Sequence, residues 1–92
     1  MSGFVFAALA SNTARADDAA DKDRARALYK EGVVSVEKTQ WSDALLAFES
    51  SAKIYPTPVT TLAIGSCERA LGRYVRARST LQRSLDESAI SE

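Results

Sequence analysis

The sequence repeats itself at a spacing of 33 residues. Five positions recur with residues of the same size class: Gly32, Trp41, Ala44, Phe48 and Ser51 return as Gly65, Tyr74, Ala77, Leu81 and Ser84. A period in this range is typical of stacked supersecondary units, because no single unit can bury its apolar face alone. Stacked units act by presenting a surface, so the pattern favours binding of a partner over catalysis.

Apolar residues at three- and four-residue steps predict about four helices. Their predicted bounds are 17–38, 42–55, 58–71 and 74–88, and the first of them begins within residues 17–21. Ser42 and Thr57 are the predicted N-caps, and Gly72 suits a left-handed C-terminal cap. Connections this short force neighbouring helices to run antiparallel. The predicted fold is therefore all-α, with antiparallel helical hairpins stacked as a short superhelix.

The same periodicity predicts which side chains face the core. From the third and fourth helices these are Leu62, Ile64, Gly65, Cys67, Leu71, Ala77, Leu81 and Leu85. Gly32 lies inside a helix, where glycine costs about 1 kcal/mol relative to alanine. A glycine at such a position predicts close approach of a second helix that a side chain would block.

Two stretches of the chain carry a family resemblance. The motif Gly32…Trp41-x-x-Ala44-x-x-x-Phe48…Pro56 resembles one tetratricopeptide repeat. The stretch from Ile64 to Leu85, with Gly65, Gly72, Tyr74, Ala77 and Leu81, resembles a second. The resemblance assigns Gly32, Ala44, Gly65 and Ala77 to the contacts between the two helices of a repeat. It assigns Trp41, Phe48, Tyr74 and Leu81 to the space beside them. The organisation it implies is a two-repeat domain over 25–88, an acidic leader or helix start at 17–24, and a tail at 89–92.

The resemblance implies a concave groove, lined by the first helix of each repeat, that takes a peptide segment of a partner protein. The residues expected on that face are Arg26, Tyr29, Val33, Glu37, Leu62, Ser66 and Arg69. Tyr29 and Arg69 are the strongest candidates, because Tyr and Arg dominate interface energetics. Tyr29 has the alternative of closing the N-terminal edge of the core. The implied function is a non-enzymatic protein–protein interaction or scaffold role.

A structural self-assembly role is the alternative function. A stack of this type needs about three repeats for stability, and the sequence contains two. The open edges of the repeats would then pair with another copy, or with further repeats of a longer protein.

Composition weighs against an enzyme. The chain has no histidine, which removes the commonest general base and the commonest metal ligand. Cys67 is the single cysteine and has no histidine to activate it, so a packing role is expected. The acids at 17–23 lack the glycine turn and closing glutamate of a calcium loop. We expect no catalytic residue, no metal site and no cofactor.

Charge is balanced overall but uneven along the chain. Residues 17–52 carry eight acids and five bases, whereas residues 53–85 carry six bases and one acid. The basic half would attract an anionic partner. The alternative is that it packs beside the acidic half, or that its charges are simply solvated by water. Tyr74 is the one aromatic among its arginines and is expected to pack in the fold, so nucleic acid is not an expected partner.

The first sixteen residues resemble a secretory signal peptide. An uncharged apolar run at 3–10 precedes Ala14-Arg15-Ala16, a small-x-small cleavage pattern. The run is too short to span a bilayer, which needs about 20 residues. We therefore expect a periplasmic or secreted protein with no stable membrane span. The alternative is an apolar N-terminal helix that packs on the domain.

Overall fold

The computed structural model describes the backbone of residues 2–91 and the side chains of residues 17–90. Over this range the chain forms four helices joined by short turns: α1 (Ser2–Glu37), α2 (Trp41–Ile54), α3 (Pro58–Ala70) and α4 (Tyr74–Ser91). Helices α1 and α2 pack together, α3 and α4 pack together, and α2 packs on α3. The predicted all-α fold of antiparallel hairpins is confirmed.

The ends of the helices differ from prediction in three places. Helix α1 begins at Ser2, ahead of the expected start, and α4 continues to Ser91. The predicted cap at Ser42 is wrong: α2 begins at Trp41, Gln40 occupies the N-cap position, and no side chain caps it. The reason lies in the turn, where the Gln40 carbonyl already accepts a hydrogen bond from the Ala44 amide at 2.9 Å.

The start of α3 and the end of its hairpin turn follow the sequence prediction. The Thr57 side chain accepts a hydrogen bond from the Thr60 amide at 3.2 Å, and Pro58 occupies the first turn. Proline fits at the first position of a helix because the backbone N–H that it lacks would have no partner within the helix. Gly72 has a φ of 80°, the left-handed conformation that glycine adopts at no steric cost.

The contacts of the first hairpin recur in the second at the 33-residue spacing. One serine hydroxyl joins the two helices of each hairpin: Ser51 Oγ donates to the Ala25 carbonyl at 2.7 Å, and Ser84 Oγ donates to the Pro58 carbonyl at 2.9 Å. The turns match as well. The Gln40 amide donates to the backbone carbonyl of Ser35, and the Arg73 amide donates to the backbone carbonyl of Glu68, both at 2.8 Å. The sequence repeat is therefore a structural repeat.

Gly32 and Gly65 lie inside helices, at points where a second helix comes close. A Cβ at Gly32 would lie 2.5 Å from Cε1 of Phe48, and a Cβ at Gly65 would lie 2.7 Å from Cδ2 of Leu81. Neither distance is possible without movement of the neighbour. The predicted close approach is confirmed in both hairpins.

The core lies mainly where the two hairpins meet. A buried cluster consists of Ala44, Leu45, Phe48, Ile64 and Cys67, all from α2 and α3. The Tyr29 ring packs on it from α1, with its centroid 5.1 Å from that of Phe48. Tyr29 is half-buried, so it contributes to the core edge while keeping part of its surface open.

Three large side chains predicted to be buried are exposed. Leu62 is 51% exposed, because it lies almost opposite the buried side of α3. Leu85 and Tyr74 are 65% and 69% exposed, because no described helix covers that side of α4. The repeat pattern placed them correctly on the helices, but burial also depends on the neighbouring element.

No helix among the described residues has both the length and the apolar character needed to cross a membrane. The predicted signal peptide, residues 1–16, lies outside the residues whose side chains are described.

Candidate functional site

A cavity of about 260 Å³ opens where α1, the end of α2 and the start of α3 meet. Its lining comprises Lys22, Ala25, Arg26, Tyr29, Ser51, Tyr55, Thr57, Val59 and Thr60. Two of these, Arg26 and Tyr29, belong to the face that the sequence analysis assigned to partner binding. The cavity brings that face of α1 together with the first turn of α3.

One wall of the cavity is a single face of α1. Lys22, Arg26 and Tyr29 lie four and three residues apart, so their side chains project from the same side of the helix. The floor behind them is fixed by the hydrogen bond from Ser51 Oγ to the Ala25 carbonyl, 2.7 Å long and buried. The clamp that holds α1 on α2 therefore also positions this wall.

The opposite wall is the capped start of α3. Thr57 Oγ1 lies 2.9 Å from Thr60 Oγ1, and Thr61 Oγ1 donates to the Thr57 carbonyl at 3.2 Å. The Thr60 amide, which has no partner within the helix, donates to Thr57 Oγ1 at 3.2 Å, so side chains of this turn hold the helix start in place. Val59 stands on this ordered turn with 59% of its surface exposed. An apolar side chain is thus held open at the cavity mouth.

Two cations stand at the rim of the cavity. Lys22 Nζ lies 5.3 Å from the centre of the Tyr55 ring, within the range of a cation–π contact. The neighbouring Tyr55 phenol, and then the Asp18 carboxylate, raise the pKa of Lys22, which keeps it charged. Arg26 forms a long ion pair with Asp23 at 3.9 Å, and both side chains are largely exposed. Such an exposed pair contributes little to stability, so Arg26 is free to exchange partners.

The arrangement combines an apolar interior with a positive rim. Tyr29, Tyr55 and Val59 supply rings and an aliphatic surface, while Lys22 and Arg26 supply charge. Chemically, this suits an apolar side chain followed or preceded by a carboxylate.

The remaining predicted site residues lie outside this cavity. Val33, Glu37, Leu62 and Ser66 are exposed on α1 and α3, and Ser66 Oγ donates to the Leu62 carbonyl at 3.0 Å. Arg69 lines a second, more open cavity of about 400 Å³, together with Tyr74 and Arg78 of α4. The structure therefore brings together Arg26 and Tyr29, and separates both from Arg69.

Lys22 and Tyr55 are cavity residues that the sequence analysis missed. Lys22 lies one turn before Arg26, so helical spacing could have identified it, but it had been assigned to the acidic leader. Tyr55 follows α2 directly before Pro56 and carried the signal of a helix end only. Its position at the cavity depends on how α2 meets α3, which no local pattern encodes.

Cys67 and Glu68 are buried away from the cavity. Cys67 is 1% exposed. Its burial away from water raises the pKa of its thiol, and the nearby Glu68 charge raises it further. A raised pKa keeps the thiol protonated and unreactive at neutral pH. Glu68 Oε2 lies 3.8 Å from Arg76 Nε, and Glu68 Oε1 is buried with no hydrogen-bond partner among residues 17–90. Among the described residues, no group of three or more potential ligands could hold a metal ion.

No protein-family model matches the chain, and neither a curated protein nor a solved structure is significantly similar to it.

Proposed function

We propose that this chain is a non-enzymatic binding module of the tetratricopeptide type that holds a peptide segment of a partner protein. The observation that carries the proposal is the cavity shared by α1 and α3, with Arg26 and Tyr29 on one wall and Val59 on the other. The first helices of the two hairpins contribute together to one concave site, as the resemblance implies.

Support for the repeat assignment comes from contacts and not from composition. The serine clamps, the glycine contacts and the turn hydrogen bonds all recur 33 residues apart. Contacts that recur in this way indicate one supersecondary unit used twice.

The proposed ligand is an extended peptide that carries an apolar side chain next to an acidic one. The apolar side chain would fill the cavity between Tyr29 and Val59. The acid would lie at the rim, where it replaces Asp23 as the partner of Arg26. A site in which ring and aliphatic surface provides affinity and a few charges provide orientation is usual for peptide and small-ligand pockets.

A binding role without catalysis is consistent with the state of Cys67. The thiol is buried and its pKa is raised, the opposite of what a nucleophile requires.

The experiment is selection of a displayed library of random linear peptides against the folded chain. We expect enriched peptides that combine an apolar residue with a neighbouring Asp or Glu. Two variants test the site: Arg26→Glu reverses a rim charge, and Val59→Ser removes the apolar contact. Each should lower the affinity for the selected peptides by about tenfold or more, which corresponds to about 1.4 kcal/mol of binding free energy.

The chain offers matched controls for both variants. Arg24 is 65% exposed and pairs with the acid three residues before it, as Arg26 does, but it does not line the cavity. Val75 is exposed at the second position of α4, as Val59 is in α3, and also lies outside the cavity. Arg24→Glu and Val75→Ser should leave binding unchanged. Absence of enriched peptides, or equal losses in these controls, would reject the site.

We also propose that the mature chain begins after Ala16 and works in the bacterial periplasm or outside the cell. The basis is the apolar run and cleavage pattern at the start of the sequence. Mass spectrometry of the protein recovered from an expressing bacterium should find Asp17 as the first residue. An intact N-terminus in the cytoplasmic fraction would reject this assignment.

A further inference from the structure

The cavity between α1 and α3 is larger than one small aliphatic side chain needs. Its volume is about 260 Å³, whereas an enclosed apolar cavity of about 150 Å³ is enough to hold benzene. A valine or leucine side chain would therefore leave part of the apolar lining in contact with water, which is unfavourable. The volume favours a ligand that carries a ring.

Two tyrosine rings contribute to the lining of this cavity. The Tyr29 ring is held by its contact with the buried Phe48 ring, with the centroids 5.1 Å apart and the planes at 54°. Tyr55 follows α2 directly and lines the same cavity. Both tyrosines are half-buried, so each keeps part of its surface open. Aromatic rings attract one another in edge-to-face and offset arrangements beyond what burial alone provides, so these rings favour an aromatic ligand over an aliphatic one.

The charges of the lining favour an acid as the second group of the ligand. Lys22 and Arg26, the charged residues that line the cavity, are both cations. Their own acids lie beside the cavity and not in its lining: Asp18 Oδ2 is 3.7 Å from Lys22 Nζ, and Asp23 Oδ1 is 3.9 Å from Arg26 Nη1. The side chains of both acids are more than half exposed.

Long, exposed ion pairs of this kind contribute little to stability. A ligand carboxylate that is also anchored by a buried ring therefore competes well with Asp18 and Asp23. The opposite wall does not oppose it, because the first turn of α3 contains no acid. A cationic group on the ligand would instead be repelled by Lys22 and Arg26.

We propose that the cavity binds an aromatic acid, with its ring against Tyr29 and Tyr55 and its carboxylate at Lys22 and Arg26. This inference rests on the site of the proposed function and names the chemistry of its ligand. In a peptide, the ring is a Trp, Tyr or Phe side chain and the acid is a neighbouring Asp or Glu. A free arylpropionate presents the same two groups.

The first test is an NMR titration of the isotopically labelled full chain with two small acids. Phenylpropionate and cyclohexylpropionate have the same carbon skeleton length and charge, but only the first has an aromatic ring. Phenylpropionate should shift the amides around Arg26–Tyr29 and Thr57–Thr60, with a dissociation constant of about a millimolar. Cyclohexylpropionate should bind at least about threefold more weakly, although burial of apolar surface alone would favour it.

The contribution of charge is tested with phenylpropionamide, which is the same molecule without the charge. It should bind at least about fivefold more weakly than phenylpropionate. Arg26→Glu should weaken phenylpropionate by a similar factor and leave phenylpropionamide nearly unchanged. The matched control is Arg24→Glu, which changes a similar exposed ion pair outside the cavity and should not alter either affinity.

The contribution of the rings is tested with Tyr55→Leu, which retains an apolar side chain and removes the ring. The variant should lose the preference for phenylpropionate over cyclohexylpropionate. Loss of the Tyr55 contact with Lys22 would change both acids alike, so the ratio of the two affinities isolates the ring. Tyr74→Leu, at an exposed tyrosine outside this cavity, should retain the preference. Circular dichroism verifies folding, and the titrations of the unmodified chain do not depend on any variant.

Two short peptides with blocked ends separate this inference from the proposed function. Gly-Trp-Glu-Gly should bind at least as tightly as phenylpropionate, and Gly-Leu-Glu-Gly should bind more weakly. If phenylpropionate binds as expected and neither peptide does, the site for an aromatic acid stands and the peptide function fails. If both peptides bind equally well, the peptide function stands and the aromatic preference is overturned.

Three further results would overturn the proposal. The first is the absence of saturable binding of phenylpropionate at tens of millimolar. The second is equal or tighter binding of cyclohexylpropionate or of phenylpropionamide. The third is a set of shifted amides that lies outside the cavity between α1 and α3.

Discussion

The two hairpins of this chain share their internal contacts and differ in their surroundings. In both, a glycine admits a large side chain from the second helix, and a serine hydroxyl reaches back to a carbonyl of the first. Among the described residues, α2 packs closely on both α1 and α3 and α3 packs closely on both α2 and α4, whereas α1 and α4 each pack closely on one helix. The 33-residue repeat therefore specifies the contacts within a hairpin. The positions at which the two halves differ reflect which helices pack beside each hairpin.

The departures follow this rule at the positions that matter most. Ile64 is buried in α3 and its counterpart Glu31 is exposed in α1. Leu45 is buried in α2 and its counterpart Arg78 is exposed in α4. At these two pairs of positions an apolar residue is found where the other hairpin covers the site, and a charged residue is found where the site is open to water.

The largest expected difference between the hairpins concerns the two glycines. In Gly32→Ala the new Cβ would meet the Phe48 ring, which is rigid and 2% exposed. We expect a loss of about 2–3 kcal/mol in the free energy of unfolding. In Gly65→Ala it would meet Cδ2 and Cγ of Leu81 at 2.7 and 2.8 Å, and this half-buried side chain has more room to shift than the Phe48 ring. The helix-propensity gain of about 1 kcal/mol then offsets most of the strain.

Urea unfolding of both glycine variants at one low protein concentration provides the measurement. Equal losses in the two variants would contradict the idea that α2 is the more tightly enclosed helix.

The serine clamps should differ in the same direction but by less. Ser51→Ala removes a buried 2.7 Å hydrogen bond, and we expect it to cost about 1.5 kcal/mol. Ser84→Ala removes a 2.9 Å bond at the more exposed end of the second hairpin, and we expect about 1 kcal/mol. Thermal unfolding of the two variants checks the order. A larger cost at Ser84 would mean that the second hairpin is held more firmly than its surroundings indicate.

The buried carboxylate of Glu68 should destabilise the second hairpin. One of its oxygens has no hydrogen-bond partner within the described part of the chain, and the Arg76 side chain that pairs with the other oxygen is 66% exposed. Glu68→Met retains the length of the side chain and removes the buried charge, so we expect a gain of about 1 kcal/mol. Arg76→Met leaves the carboxylate without its cation and should destabilise. Urea unfolding of both variants measures the two effects, and a loss in Glu68→Met would show that the carboxylate is stabilising.

The smallest expected effect concerns the turns within the hairpins. Thr39 and Gly72 correspond to each other and both have positive φ, 57° and 80°. A β-branched residue is strained there, so Thr39→Gly should stabilise by about 0.5–1 kcal/mol after the entropy cost of glycine. The reciprocal Gly72→Thr should destabilise by about 1 kcal/mol. Differential scanning calorimetry would resolve both shifts, and unchanged melting in both would show that these turns relax freely.

Much of the fold could be predicted from the sequence, because its signals are local. Thr57 followed by Pro58 predicts the start of α3, and Gly72 predicts a turn. Gly32 and Gly65 predict close contacts between helices. All three are confirmed. The predicted cap at Ser42 is wrong, because the Gln40 carbonyl accepts from the Ala44 amide, so α2 begins at Trp41 and Ser42 lies inside its first turn.

Burial at the open edges could not be predicted from the repeat. Tyr74 and Leu85 stand at positions that are covered in the first hairpin, but nothing within the described residues covers them in the second. Part of the cavity lining could be predicted from the sequence. Arg26 and Tyr29 share a helix face that periodicity reveals, whereas Tyr55 reaches the cavity only through the angle between α2 and α3. The repeat family, the peptide partner and the export of the chain stay predictions.

The most direct test of this account is hydrogen exchange of individual amides, measured by NMR at a concentration low enough to keep the chain monomeric. The account holds that the fold depends on the junction between the hairpins. Amides of α2 and α3 around Ala44–Phe48 and Ile64–Cys67 should therefore exchange slowest, and those of α4 beyond Leu85 should exchange far faster. Equal protection in the two hairpins, or slowest exchange in α4, would contradict it.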